Sequence, residues 1–163
     1  MEITLSINKG TVMHEVAVTT AYTGGKMDSD ERALHRISTV DEDEKHLDRF
    51  WEESRADICQ ELIGLVTFEG MADRDAIEDG GMQKKSCNYE LRLEVSKSFD
   101  EALLPSMRLS LFSYFVQSIV AKWYVYTNKG EAGAYADKAA TLLDDIHRKA
   151  VYKKRPTRPT YND

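Results

Sequence analysis

The fold is decided by residues 104–126, which read LPSMRLSLFSYFVQSIVAKWYVY in one-letter code. Large apolar residues recur in this stretch every three to four positions, which is the spacing of one face of an α-helix. These residues are Leu109, Phe112, Phe115, Val116, Ile119, Trp123 and Tyr126. Pro105 suits the first turn of a helix, where no backbone N–H is needed. Because apolar side chains cover so much of its circumference, we predict that this helix lies centrally in the core.

A second helix is predicted directly after this segment. The intervening sequence 128–130, Asn-Lys-Gly, forms a short turn, so the two helices should be antiparallel neighbours. Apolar residues continue at helical spacing to about Tyr152, and Pro156 then prevents further helix.

Two more helices are predicted upstream. Thr39 and Glu42 have the spacing of a capping box, and they precede a long amphipathic helix whose apolar face covers residues 47–66. An earlier helix is predicted over residues 11–25, capped by Thr11 and ended by paired glycines.

Strand-like alternation of apolar and polar residues occurs at residues 3–7 and again, more clearly, at residues 89–95. Residues 26–40 show little periodicity and are predicted to be a loop, with a turn of helix at most. Residues 69–86 contain three glycines among charged residues, so we predict a mobile surface loop there. The two strands should share one small sheet.

The predicted fold class is therefore mainly α (α+β): an antiparallel bundle of about four helices with a small two-stranded β element. The chain of 163 residues is about one domain long. We expect a single helical domain at residues 1–152, followed by a basic, proline-containing tail at residues 153–163.

Charge is divided unevenly along the chain, whose net charge is −6. Residues 1–101 carry 23 acidic and 12 basic side chains, whereas residues 102–163 carry 5 acidic and 10 basic ones. Complementary potentials favour docking between unlike surfaces, so the asymmetry fits head-to-tail contact between identical subunits. Random sequence drift at solvent-exposed positions explains the uneven charge without a partner, since net charge affects association rather than the fold.

Cellular compartment is indicated by three features. Cys59 and Cys87 are too few and too isolated for a disulfide framework or a zinc site, which favours a reducing compartment. Residues 1–7 have neither the basic start nor the apolar run of a secretory signal. The apolar stretch 109–126 is interrupted by polar residues, including Lys122, so we expect no membrane span and a soluble, intracellular protein.

Patterns that would indicate catalysis or metal binding are weak. The four histidines, His14, His35, His46 and His147, lack the pairing of a zinc site. Residues 41–44 are four consecutive acids, but helical neighbours point about 100° apart and cannot converge on one ion; favourable interaction with the helix dipole explains them. Asp73 and Asp75 match a calcium loop only in part. We therefore expect no catalytic, metal or cofactor site, and no enzyme activity.

The tail is the segment best suited to contact a partner. Its basic residues Lys153, Lys154, Arg155 and Arg158, with two prolines, favour an extended chain that can lie along an acidic surface or a phosphate backbone. A solvated chain end without a binding role is the alternative interpretation.

The order of elements resembles small structural proteins encoded in tailed-phage and prophage gene clusters. The resemblance is carried by segments spread over most of the chain: 12–16, 20–24, Phe50-Trp51, 88–95, Leu104-Pro105, 121–124, 135–139 and 154–159. These proteins are similar in plan to head–tail connector (adaptor) proteins, which form a ring between the portal and the tail. No site of that family transfers residue by residue. The loop 69–86 and the N-terminal strand depart from the most compact connectors, which leaves a tail-completion role open.

This resemblance implies a non-catalytic subunit that forms a ring by self-association and contacts portal and tail proteins. It implies a cytoplasmic protein during assembly and a virion component afterwards, with no membrane contact and at most an indirect contact with nucleic acid. One alternative is a small nucleic-acid-binding or regulatory module that uses the basic tail. Another is an enzyme whose site has no recognisable motif.

Overall fold

A computed structural model describes residues 1–27, 32–74 and 86–154. Within these residues three strands form one antiparallel sheet: β1 (Glu2–Asn8), β2 (Val66–Arg74) and β3 (Ser86–Glu94). Their order is β1-β3-β2, so β3 lies in the centre and β1 and β2 lie at the two edges. Leu5 of β1 faces Leu91 of β3. The sheet is amphipathic, because the odd-numbered residues of β1 are buried and the even-numbered ones are not.

The described residues also form five α-helices. They are α1 (Lys9–Gly25), α2 (Ala33–Ile37), α3 (Glu44–Glu61), α4 (Leu104–Thr127) and α5 (Lys129–Val151). Two single 3₁₀ turns, Asp41–Asp43 and Glu101–Leu103, precede α3 and α4. The fold is therefore mainly helical with a small antiparallel sheet, as the sequence predicts.

Helix α4 is the central element, as predicted, and packs against α1, α3, α5 and β1. An aromatic cluster joins it to α3 and the sheet. The rings of Trp51 and Phe115 stack with centroids 4.2 Å apart, and Tyr89 meets Phe115 edge-on at 5.2 Å. All three side chains are fully buried, so this cluster ties α3, α4 and β3 into one core.

The prediction of a two-stranded sheet is wrong, because β2 adds a third strand. Its residues alternate poorly: the pairing register with β3 shifts between Val66 and Phe68, and Gly70 has no side chain. A bulge of this kind breaks the period-two pattern by which a strand is recognised. Part of the predicted loop 69–86 is therefore strand, and its middle, residues 75–85, lies outside the described residues.

Several predicted helix boundaries also need correction. Helix α3 ends at Glu61, not at Val66, and the chain turns at Gly64, whose φ of 85° suits glycine. Helix α1 begins at Lys9, because the cap is the Asn8 side chain, which accepts a 2.9 Å hydrogen bond from the Thr11 N–H.

The start of α3 is also different from the prediction. The N–H of Val40 donates to Asp43 Oδ2 at 2.9 Å, in place of the predicted contact between Thr39 and Glu42.

No helix in the described part of the chain is long and apolar enough to cross a bilayer.

Candidate functional site

The predicted contact segment begins where α5 ends. After Val151 the backbone turns into an extended conformation, and the N–H of Lys154 donates to the Ser98 carbonyl at 3.1 Å. The Lys154 ammonium lies 3.7 Å from a carboxylate oxygen of Asp100. The start of the tail is therefore attached to the connection between β3 and α4.

Two of the four predicted contact residues can be placed. Lys153 and Lys154 are exposed, and the Lys154 side chain retains 68% of its accessible surface despite its contact with Asp100. Arg155 and Arg158 lie outside the described residues. The ammonium groups of both placed lysines are therefore accessible to a partner.

Exposed apolar side chains lie at the same end of the α4–α5 pair. Val151 and Tyr152 are each 50% exposed, and Leu109 is 66% exposed. The prediction that Leu109 packs in the core is wrong. Its neighbour Ser110 faces α5, which turns Leu109 away from that helix. This exposure could not be found from the sequence, because helical periodicity does not show where a neighbouring helix stops covering a face.

A polar cluster joins α4 to α5 beside these residues. Asp145 accepts a 2.8 Å hydrogen bond from the Ser110 hydroxyl and forms an ion pair with Lys149, which also donates to Ser106 at 2.6 Å. Burial raises the pKa of Asp145, but the hydrogen bonds from Lys149 and Ser110 outweigh burial and leave it below its usual range. This cluster fixes the helix end from which the tail leaves.

A second polar cluster lies between α3 and α4. Lys122 Nζ is 2.8 Å from Ser118 Oγ and 3.1 Å from Asp57 Oδ2, and Ser118 Oγ is 2.8 Å from Ser54 Oγ. A serine beside a lysine can be a nucleophile with its base. Here the ammonium of Lys122 donates to the Ser118 hydroxyl oxygen, and an ammonium group has no lone pair with which to accept the proton of that hydroxyl. The contacts of this cluster therefore link α3 to α4.

A third cluster connects α3 to β2. The guanidinium of Arg55 binds both carboxylate oxygens of Glu69, with Nη2 at 3.0 Å from Oε2, and its Nη1 lies 2.8 Å from Glu52. The hydrogen bond with Glu69 raises the pKa of Arg55 further. Burial, followed by the charge of Glu69, raises the pKa of the nearby Cys59 thiol, which disfavours the reactive thiolate.

The potential metal ligands among the described residues do not form a cluster. Across residues 1–27, 32–74 and 86–154, no three histidine, cysteine or acidic side chains are grouped so that they could hold an ion. Asp75 of the partial calcium pattern lies outside these ranges.

Comparison of the chain with protein families, with curated proteins and with solved structures gave no match.

Proposed function

We propose that this chain is a non-catalytic virion assembly protein, a head–tail connector or neck subunit of a phage or prophage. In this role it forms a ring by self-association, between portal and tail proteins, in the host cytoplasm and then in the virion. The observation that carries the proposal is the accessible end of the α4–α5 pair. At that end Leu109, Val151 and Tyr152 expose apolar surface, and Lys153 and Lys154 directly follow Tyr152 in the chain.

Apolar groups flanked by charges are what a protein–protein contact requires. The apolar side chains supply association free energy when they leave water, and the lysines steer an acidic surface into register. The chain itself offers such a surface, because the exposed acids Asp41 and Glu42 lie in the 3₁₀ turn before α3 and the exposed Glu44 is the first residue of α3. Their carboxylates form no ion pair with another described residue. Head-to-tail contact between copies would bring these unlike surfaces together and generate a ring if the rotation closes.

A bundle of four antiparallel helices would hold this end rigid. Helix α3 runs antiparallel to α4, since Phe50 stacks on Tyr126 while Ser54 meets Ser118. Helix α5 also runs antiparallel to α4, because its last turns contact Ser106 and Ser110. With α1 as the fourth member, the bundle would present the tail from a fixed position.

The first experiment measures the mass of the protein in solution by light scattering, at low and moderate salt. Negative-stain electron microscopy then images any large species. A closed ring of many 18.6 kDa chains, or ordering on a portal ring, is the expected result. A protein that stays smaller than a ring at every concentration, and does not bind a portal ring, would contradict the proposal.

The tail is tested by removing residues 153–163. We expect weaker oligomers with helical content and melting temperature nearly unchanged, because the deleted residues follow the last helix. A second variant, Lys153→Ala with Lys154→Ala, should weaken assembly in the same direction. Its matched control is Lys129→Ala with Lys138→Ala, which removes the same charge from two exposed positions on α5.

The nucleic-acid module makes a different prediction for the same variants. Binding to duplex DNA would fall steeply with salt and would be lost in the Lys153→Ala, Lys154→Ala variant. DNA binding of this kind in a protein that never assembles would favour that function over the connector.

A further inference from the structure

The outer edge of the sheet at β1 carries a row of backbone groups that have no hydrogen-bond partner in the described part of the chain. Met1 and Val95 exchange backbone hydrogen bonds of 2.9 and 2.8 Å. In an antiparallel ladder such pairs alternate, so the odd-numbered residues of β1 are bonded to β3. The N–H of Glu94 confirms this alternation, because it points away from Glu2 and donates to the Leu65 carbonyl at 2.7 Å. The even-numbered residues of β1 therefore direct their N–H and C=O groups outward.

These outward groups belong to Glu2, Thr4 and Ser6, all of which are exposed. No other described residue forms a hydrogen bond with their backbone. The charged side chain of Glu2 also leaves the edge clear, since its carboxylate accepts a 2.8 Å hydrogen bond from the Thr67 hydroxyl on the far side of β3.

Within residues 1–27, 32–74 and 86–154, this edge lacks the features that usually prevent edge-to-edge pairing, which are lysine, proline, a bulge or a covering segment. Its register with β3 is continuous from Glu2 to Asn8, and it contains neither lysine nor proline. The opposite edge is protected differently: β2 carries a register shift between Val66 and Phe68. Of the two edge strands, β1 is the one whose backbone is prepared to accept another strand.

We propose that β1 pairs antiparallel with β1 of a second copy of this chain, across a two-fold axis at Leu5. In this register Thr4 of each chain exchanges both backbone hydrogen bonds with Ser6 of the other. The two Leu5 residues form the non-hydrogen-bonded pair on the axis, with Cα atoms about 4.5 Å apart. The result is one continuous six-stranded sheet shared by two subunits.

The residue pattern of β1 favours pairing with β1 of a second copy of the chain. The outward N–H and C=O groups of one strand must bond to those of the other, so even-numbered residues pair with even-numbered residues. Odd-numbered residues then pair with odd-numbered ones, and apolar Ile3 faces apolar Ile7. Glu2 then lies opposite Asn8, whereas parallel pairing in register would place Glu2 beside its own copy. The strand is thus complementary to itself in the antiparallel direction, which a two-fold contact requires.

This contact is separate from the proposed ring. A ring uses two different surfaces on each subunit, whereas the β1 contact uses one surface twice. It therefore stands or falls independently of the connector role.

Hydrogen exchange on the full chain tests the pairing directly. Amides of Ile3, Leu5 and Ile7 should be protected at every protein concentration, because they are bonded to β3. Amides of Thr4 and Ser6 should become protected only as the concentration rises, in step with a mass of twice 18.6 kDa by sedimentation. A monomer at high concentration with fast exchange at Thr4 and Ser6 would overturn the proposal. So would a ring-sized assembly with the same fast exchange, which would leave the connector role intact.

Two variants check the contact from the edge itself. Thr4→Pro removes an outward N–H and leaves the hydrogen bonds to β3 in place, so it should abolish the dimer without unfolding the sheet. Thr4→Lys with Ser6→Lys puts like charges opposite each other and should raise the dimer dissociation constant about tenfold. Thr141→Lys with Ala134→Lys adds the same charges to exposed positions on α5 and should leave the dimer unchanged. Dimerisation that survives both edge variants refutes the pairing.

Discussion

The hydroxyl oxygens of Ser54 and Ser118 lie 2.8 Å apart inside the contact between α3 and α4. Ser54 Oγ is also 2.8 Å from the Phe50 carbonyl, which can only accept. Ser54 therefore donates to Phe50 and accepts from Ser118, while Ser118 accepts from the Lys122 ammonium at 2.8 Å. Each hydroxyl is satisfied by this directed chain, although both serines are buried.

Replacing Ser118 with alanine should destabilise the protein by about 1–3 kcal/mol, because it interrupts this chain and removes the close donor to the buried Ser54 hydroxyl, which then keeps only the longer 3.4 Å contact with Lys122 Nζ. Urea unfolding followed by circular dichroism measures the change. The matched control is Ser113→Ala, which makes the same substitution in α4 at a partly exposed position and should stay within about 0.5 kcal/mol of the parent. Equal effects of the two substitutions would show that the chain of hydrogen bonds contributes nothing.

Arg55→Lys should loosen β2. A lysine cannot reproduce the paired hydrogen bonds that the guanidinium makes with Glu69, whose side chain is only 17% exposed. We expect a loss of about 1–3 kcal/mol and faster amide exchange in β2 than in β1. Arg49→Lys is the control, because Arg49 and Glu53 form an exposed pair, with side chains 54% and 48% accessible. Unchanged exchange in β2 would refute the idea that Arg55 holds this strand.

The long helices and two of the strands could be predicted because their apolar residues follow one period without interruption. Strand β2 could not, since the bulge at Val66 and Phe68 breaks that period and Gly70 adds no side chain to it. Strand order was also beyond prediction: whether β1 is an edge depends on its pairing with residues eighty or more positions away, and no local pattern records that choice.

The candidate contact site was predictable in part. Lys153 and Lys154 could be identified from composition alone, because a cluster of basic residues near prolines can be read directly from the sequence. The exposed Leu109 was not predictable, because apolar residues on a helix normally indicate its buried face. Its exposure depends on where the neighbouring helices end, which is a property of the assembled fold.

Gly24 allows α1 and α2 to approach closely, and its replacement should separate them. A Cβ atom at this position would lie 2.9 Å from the Leu34 Cα and 3.3 Å from the Ala33 carbonyl oxygen, both of which are backbone atoms. Gly24→Ala should therefore cost about 1–3 kcal/mol in thermal or urea unfolding. The adjacent Gly25 is a close control, since a Cβ there meets nothing within 4 Å and helix propensity favours alanine. Gly25→Ala should be neutral or stabilising, and a larger loss there than at Gly24 would contradict the packing.

Asp145 should make stability depend on pH at the end of the α4–α5 pair. Burial raises the pKa of its carboxyl group, but hydrogen bonds from Lys149 and Ser110 reverse that effect and hold the pKa below the usual range. The unfolded chain, in which aspartate has a pKa of about 3.9, then binds the proton more readily than the folded chain. The stabilising contribution is therefore complete above about pH 4 to 5 and is lost as the pH falls through the folded-state value.

Asp145→Asn should remove this contribution, so the difference in unfolding free energy between the parent and the variant should shrink as the pH is lowered from about 6 to about 3. Urea unfolding at several pH values measures it. Asp144→Asn removes the same charge one residue earlier, where the carboxylate is 58% exposed and forms an ion pair with the exposed Arg148. Screening by water makes that contact weak, so the control should differ little from the parent at any of these pH values. A gap between the parent and Asp145→Asn that stays constant or widens in acid would mean that the contacts of Asp145 do not favour its ionised form.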